Sequence, residues 1–121
     1  MNRTALGRRA ELAVADYLVV RGFRVLARDL RVGGYELDVV ARRDSLVVAV
    51  EVRTRGAGSY ERAFESIGPR KRARLLRAVD LLWHAHLARS LGVEQDRIDA
   101  AAVTFEGGAT YVEYVEGAVT G

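Results

Sequence analysis

A single α/β domain built on a mixed sheet is the fold class this 121-residue sequence predicts. Three observations predict it. The first twenty or so residues carry apolar side chains at helical spacing. Three segments between residues 23 and 54 alternate or run apolar as strands do. A second helical stretch then separates these from two further strand-like runs. The order is α-β-β-β-(α)-α-β-β, with about five strands flanked by helices.

The first helix is predicted over residues 4–21. Leu6, Ala10, Ala13, Val14, Tyr17 and Leu18 fall on one arc at about 100° per residue, and Gly22 suits the residue just past a helix end. Phe23–Leu30 reads as a strand and Arg31–Gly34 as a turn. Tyr35–Arg42 is a second strand, with Tyr35, Leu37, Val39 and Ala41 on one face and Glu36, Asp38 and Val40 on the other. Leu46–Thr54 is almost continuously apolar, which marks a central strand. Gly56–Gly68 is read as a flexible segment with one helical turn around Glu61–Ser66. Pro69 fits the first position of a helix that continues to about Ser90, with Leu75, Leu76, Val79, Leu82, Trp83 and His86 as its apolar stripe. Ile98–Phe105 and Thr110–Val115 close the pattern around a glycine turn, and residues 117–121 are read as a flexible tail.

Composition excludes several classes. Half the residues are hydrophobic, enough for a core. Cysteine is absent, which removes disulfides, zinc thiolates and thiol nucleophiles. No window reaches the roughly 18–20 apolar residues of a membrane span, and residues 1–9 lack a signal-peptide core; a cytoplasmic protein is expected. Two histidines on one helix, His84 and His86, point in different directions and make a poor metal pair. There is no phosphate-binding loop, nucleophile elbow or dinucleotide fingerprint.

The formal charge of +3 is unevenly placed: residues 1–77 carry 17 Arg/Lys against 9 Asp/Glu, and residues 78–121 carry 2 against 7. Arginine forks match phosphate geometry, so the first two-thirds reads as a surface for nucleic acid. Arg70, Lys71, Arg72, Arg74 and Arg77 crowd the start of the second helix, where cations oppose the helix dipole. A surface that accepts this cost fits phosphate contacts, for which Arg70 and Lys71 are the first choices and Arg74 lies in the same cluster. Arg53, Arg55 and the segment to Tyr60 extend the track, with Tyr60 placed to stack on a base.

The acidic residues converge as well. If the second and third strands form a hairpin, Asp38 and Glu51 share a face in either of two registers, roughly 5–8 Å apart at Cβ. Like charges so close, flanked by Val40, Val47 and Ala49, repel and lose hydration. A hard divalent cation relieves both costs, Mg²⁺ (or Mn²⁺) being the natural candidate. Arg53 follows on the same face, and Glu11 sits at the edge of the first helix's apolar arc, within reach of the same point.

Gly7-x3-Glu11-x-Ala13, Glu36-Leu37-Asp38-Val39-Val40 and Val50-Glu51-Val52-Arg53-Thr54-Arg55 together resemble the YraN-like family of small bacterial proteins, over about residues 5–116. That family resembles the PD-(D/E)XK, restriction-endonuclease-like superfamily in its Holliday-junction-resolvase-like branch. The resemblance implies a restriction-endonuclease-like fold. It implies Asp38 and Glu51 as metal ligands with the Val52 backbone carbonyl, Glu11 as the helical acid, and Arg53 at the superfamily's lysine position. It also implies a metal-dependent DNA endonuclease acting on branched or structured DNA, and by analogy a homodimer. A nucleic-acid-binding module with weak or no catalysis, and a protein-interaction adaptor, are the rival expectations. The glycine that usually precedes the E-(I/L)-D block is Tyr35 here.

Overall fold

In the computed structural model, which describes residues 4–55 and 67–121, the chain opens with a helix that the sequence caps at both ends. The Thr4 hydroxyl accepts from the Gly7 N–H at 3.0 Å and starts α1 (Ala5–Val20). At the other end Gly22 adopts φ +89°, the Phe23 N–H reaches back to the Leu18 carbonyl and the Gly22 N–H to that of Val19. This paired closure needs a left-handed residue, and glycine takes it without steric cost. Ala10, Val14 and Leu18 are buried as expected, whereas Leu6 is exposed.

Three antiparallel strands follow: β1 (Arg24–Val32), β2 (Tyr35–Arg43) and β3 (Leu46–Arg55). Val32 pairs with Tyr35, so Gly33 and Gly34, at φ +56° and +82°, form a two-residue turn, tighter than the four-residue turn expected. Arg43 pairs with Leu46 across Asp44–Ser45. The chain then enters α2 (Pro69–Ala85), with Pro69 in its first turn. After a 3₁₀ turn (Leu87–Arg89), it returns as β4 (Gln95–Glu106), parallel to β3, and β5 (Ala109–Val119), antiparallel to β4. The sheet order is β1-β2-β3-β4-β5.

α1 covers one face of the sheet through Val14 and Leu18 against Val39, Val48, Val50 and Val103. α2 covers the other through Leu75, Val79 and Leu82 against Leu37, Val40, Val47 and Ile98. β3 is covered on both faces, which accounts for its nearly unbroken apolar run. The helix stripe is shorter than expected. α2 ends at Ala85, His86 is exposed at the cap, and Leu87 of the 3₁₀ turn supplies the next buried side chain. β5 runs four residues beyond Val115, and Val119 is buried in the α2-side core.

The expected alternation along β2 fails at one place. Leu37 and Val40 both face α2, while Val39 and Ala41 face α1. On β1, Ala27 and Leu30 show the same three-residue step onto the α2 side. The register between these strands is unbroken from Ala27↔Val40 to Val32↔Tyr35, which places Asp29 beside Asp38. Asp29 has φ +52°, a left-handed conformation that Asp tolerates better than most residues. Both strands therefore turn over together at the aspartate pair, and one residue of β2, Asp38, is spent in changing face.

Candidate functional site

The break in β2 builds the site. The β2–β3 ladder ends at Val39↔Val50, and one step further the register sets Asp38 opposite Glu51. There the Asp38 side chain replaces a backbone partner: its Oδ2 accepts the Val52 N–H at 2.8 Å. A buried N–H needs an acceptor, so this carboxylate completes the hairpin while standing at the mouth of the opening between the strands.

Asp38 and Glu51, 4 % and 5 % exposed, line one cleft of about 890 Å³. Its walls also carry Arg31, Tyr35 and Arg53 from the sheet and Arg70, Lys71 and Arg74 from the first turns of α2. Two low-lying acids under a rim of five cations form a surface that holds hard cations at its floor and anions above them.

Glu51 faces α2, as do its strand neighbours Val47 and Ala49. Lys71 Nζ lies 2.6 Å from Glu51 Oε1, and the Tyr35 hydroxyl donates to Oε2 at 3.4 Å. Burial, followed by the charge of Glu51, pushes the Tyr35 phenol well above its ordinary range, while Arg74 and Arg53 pull it down. Tyr35 therefore stays a neutral hydrogen-bond donor at physiological pH.

Glu11 reaches the site from the other side. It is fully buried on α1, and one carboxylate oxygen from each of Glu11, Asp29 and Asp38 lies within 4.8 Å of the others. Oxygens bound to one divalent cation stand no further apart than about 4–5 Å. Three carboxylates at this spacing, two of them buried, are a donor set for such an ion, so these residues fit a hard metal. Glu51 is not a member of this close group. Asp38 belongs to both arrangements, touching the Glu11 group and sharing the cleft with Glu51.

The residues expected in the site are thus distributed as follows. Asp38, Glu51, Val52 and Arg53 line the cleft with Arg70, Lys71 and Arg74. Glu11 meets Asp38 beneath it. Lys71, expected as a phosphate contact, is engaged with Glu51. Arg55 forms an ion pair with Glu113 of β5 at 3.2 Å and is not among the cleft residues. Tyr60 lies outside the described residues. Asp29 was not anticipated, yet the signal was present: a Gly33–Gly34 two-residue turn pairs residue 32 with 35, and three steps on pairs Asp29 with Asp38. Tyr35 and Arg31 were missed because nothing in the strand pattern says how far a side chain leans over the sheet edge.

A second buried acid is fully satisfied. Asp99 of β4 accepts from Arg97 through two nitrogens at 2.7 and 3.0 Å, from the Tyr114 hydroxyl at 2.5 Å and from the Gly117 N–H at 2.8 Å. It sits where the β4–β5 register shifts between Ile98 and Ala100, and it pins the bulged part of β5 to the sheet.

Fold and site together define a mixed-sheet α/β protein with a carboxylate-floored, arginine-rimmed cleft. Residues 10–103 match the model of the family described as uncharacterised protein family UPF0102, and the chain belongs to that family, the YraN-like family its sequence blocks resemble. It is 52% identical over 117 residues to the UPF0102 protein sce2912 of Sorangium cellulosum (strain So ce56), covering 96% of this chain and 81% of that one. It is 38% identical over 121 residues to a UPF0102 protein of Anaeromyxobacter dehalogenans (strain 2CP-C), covering 98% and 87%. Among solved structures it is similar to a repair endonuclease from Pyrococcus abyssi, at 18% identity and a TM-score of 0.49, over 89% of this chain and 42% of that one. It is also similar to the protein of unknown function AF1548, at 22% identity and a TM-score of 0.48, over 84% and 50%. The chain spans half or less of the length of those two solved chains, and the likenesses concern the path of the chain. No helix among the described residues is long and apolar enough to cross a membrane.

Proposed function

We propose that this protein is a metal-dependent nuclease acting on DNA, with branched or structured DNA as the substrate class to test first. The observation that carries this reading is the single cleft in which buried Asp38 and Glu51 lie beneath Arg31, Arg53, Arg70, Lys71 and Arg74. A phosphodiester is an anion, and its hydrolysis adds further negative charge to the reacting oxygens. A site for it needs cations at the rim and a hard Lewis acid at the floor.

Asp38 and Glu51, with Glu11 and Asp29 adjoining Asp38, are the residues that would hold Mg²⁺ or Mn²⁺; the ion would supply Lewis-acid polarisation and a water of lowered pKa. The chain's own residues do the rest. Arg70 and Arg74 at the start of α2 seat the backbone phosphates, helped by the helix N-terminus beside them. Arg53, two residues beyond Glu51 on β3, lies over the floor and stabilises developing charge. A guanidinium stabilises charge but is a poor proton acceptor, so water activation does not fall to this residue. Tyr35 orients Glu51 by its hydrogen bond. The absence of cysteine fits a reducing, cytoplasmic setting.

The test is a cleavage panel of linear, flapped and four-way DNA with Mg²⁺ or Mn²⁺, comparing the natural protein with Asp38→Ala and Glu51→Ala. Metal-dependent cleavage lost in both variants supports the reading. Equal cleavage in all three rejects it. The fixed charge of Arg53 favours one rival, a nucleic-acid-binding module on the same scaffold; salt-sensitive DNA binding with no cleavage under any metal would establish it instead.

A further inference from the structure

The chain has 19 basic residues, and 18 of them are arginine. The single lysine, Lys71, rests its charged atom on a buried acid of the cleft floor. Nζ stands 2.6 Å from Glu51 Oε1, and the two side chains are 35% and 6% exposed. Lys71 sits in the first turn of α2, where a cation opposes the helix dipole. The helix has no side-chain cap at Gly68 to offset that. An acid of opposite charge across the cleft does.

Chemistry explains why a lysine stands there. A guanidinium is a wide planar fork that holds a carboxylate through two fixed bonds. An ammonium is a compact point charge on a flexible stem of four carbons, able to leave one oxygen for another by rotation. Compactness and mobility are what a group needs if it must occupy a cation's place and then vacate it. Asp38, by contrast, has one carboxylate oxygen bound to the Val52 backbone N–H, whereas Glu51 meets the mobile side chain of Lys71, so Glu51 is the acid whose partner can be exchanged.

We propose that Lys71 is a stand-in cation: its ammonium compensates Glu51 while no divalent ion is bound, and it swings to the DNA phosphate when the ion takes Glu51. This rests on the nuclease reading above and adds a second, mobile role to the cleft wall. It makes metal binding and substrate binding mutually reinforcing, because the ion releases a positive charge toward the phosphate.

The experiment compares the full chain with Lys71→Met and Lys71→Arg. Mn²⁺ affinity is measured by calorimetric titration, and melting temperature in EDTA and in saturating Mn²⁺. Removing the competing ammonium should tighten Mn²⁺ binding in Lys71→Met by roughly three- to tenfold, the scale of a partly exposed ion pair. The same variant should melt lower than the natural protein in EDTA and converge on it in Mn²⁺, and it should bind DNA more weakly only when Mn²⁺ is present. Lys71→Arg should bind Mn²⁺ no more tightly than the natural protein. Should Lys71→Met fail to fold, Lys71→Gln, which also removes the charge, takes its place in each comparison. Unchanged or weaker Mn²⁺ binding in the neutral variant overturns the stand-in role. If Mn²⁺ binding is meanwhile lost in Glu51→Gln, the nuclease reading survives that result. A natural protein that binds no Mn²⁺ overturns both.

Discussion

Replacing Asp38 with asparagine separates the folding role of this side chain from its charge. The asparagine carbonyl still accepts the Val52 N–H now bound at 2.8 Å. Exchanging a charged for a neutral acceptor costs about 1 kcal/mol. Against this, the substitution removes one member of a carboxylate group whose oxygens lie within 4.8 Å. Two like charges at that distance repel by about 3.5 kcal/mol at an effective dielectric constant of about 20. Counting only the buried Glu11–Asp38 pair, Asp38→Asn should be more stable than the natural protein without metal by about 1–2.5 kcal/mol. For a chain of 121 residues the unfolding entropy makes this about 4–10 °C in melting temperature. Asp38→Ala, which leaves the Val52 N–H without its acceptor, should fall below Asp38→Asn by about 1–3 kcal/mol. Thermal melts by circular dichroism at neutral pH, low salt and excess EDTA read the effect. Adding Mn²⁺ at a hundred times its Kd should stabilise the natural protein by about 2.7 kcal/mol and Asp38→Asn by much less. An Asp38→Asn protein that melts below the natural one in EDTA would refute the argument, since it would show that the acids are not in repulsive proximity.

Three further outcomes follow from the geometry. Asp99→Ala strips acceptors from Arg97, Tyr114 and the Gly117 N–H at once, and should cost about 3–5 kcal/mol in urea unfolding; a loss under 1 kcal/mol would mean that β5 holds its bulge without it. Tyr35 and Tyr114 are both raised above the ordinary phenol range, burial being the larger cause in each. The folded state therefore keeps protons that the unfolded chain releases near pH 10, so stability should be intact below about pH 10 and fall above it. Tyr114→Phe should flatten part of that fall, and stability unchanged up to pH 11.5 would contradict it. DNA binding should weaken linearly in log–log salt titrations, and Arg70→Ala and Arg74→Ala should each reduce the slope by about one phosphate contact; unchanged slopes in both would remove α2 from the interface.

Much of the fold was legible because local chemistry and tertiary demand agree. Gly22 had to end α1, Pro69 had to begin α2, and the apolar run from Leu46 could only be a strand covered on both faces. Asp38 and Glu51 were legible as a pair because hairpin register constrains them from either turn length. What was not legible is the change of face at Asp38. Period-two reasoning assumes an unbroken pleat, and the pleat breaks where Asp29 takes a left-handed conformation and a carboxylate replaces a ladder partner. Leu37 therefore landed on the opposite face from Val39, and Asp29 joined the acids unannounced. The length of α2 was overread for a related reason: Leu87 continues the apolar stripe from a 3₁₀ turn, not from the helix itself.

The double duty of Asp38 bears on how relatives of this chain should be read. Its carboxylate is a structural part of the β2–β3 hairpin whether or not any chemistry takes place beside it. A lineage that abandoned catalysis would still be under pressure to keep an acceptor at this position, a demand that asparagine meets as well as aspartate, so an acceptor there testifies to folding and only the acid's charge points beyond it. Glu51 carries no such obligation: among the described residues its oxygens meet the side chains of Lys71 and Tyr35. If the proposed nuclease reading holds, drift at Glu51 and Lys71 together, with an acceptor kept at residue 38, is the signature by which a relative that has lost the activity would be told from one that retains it.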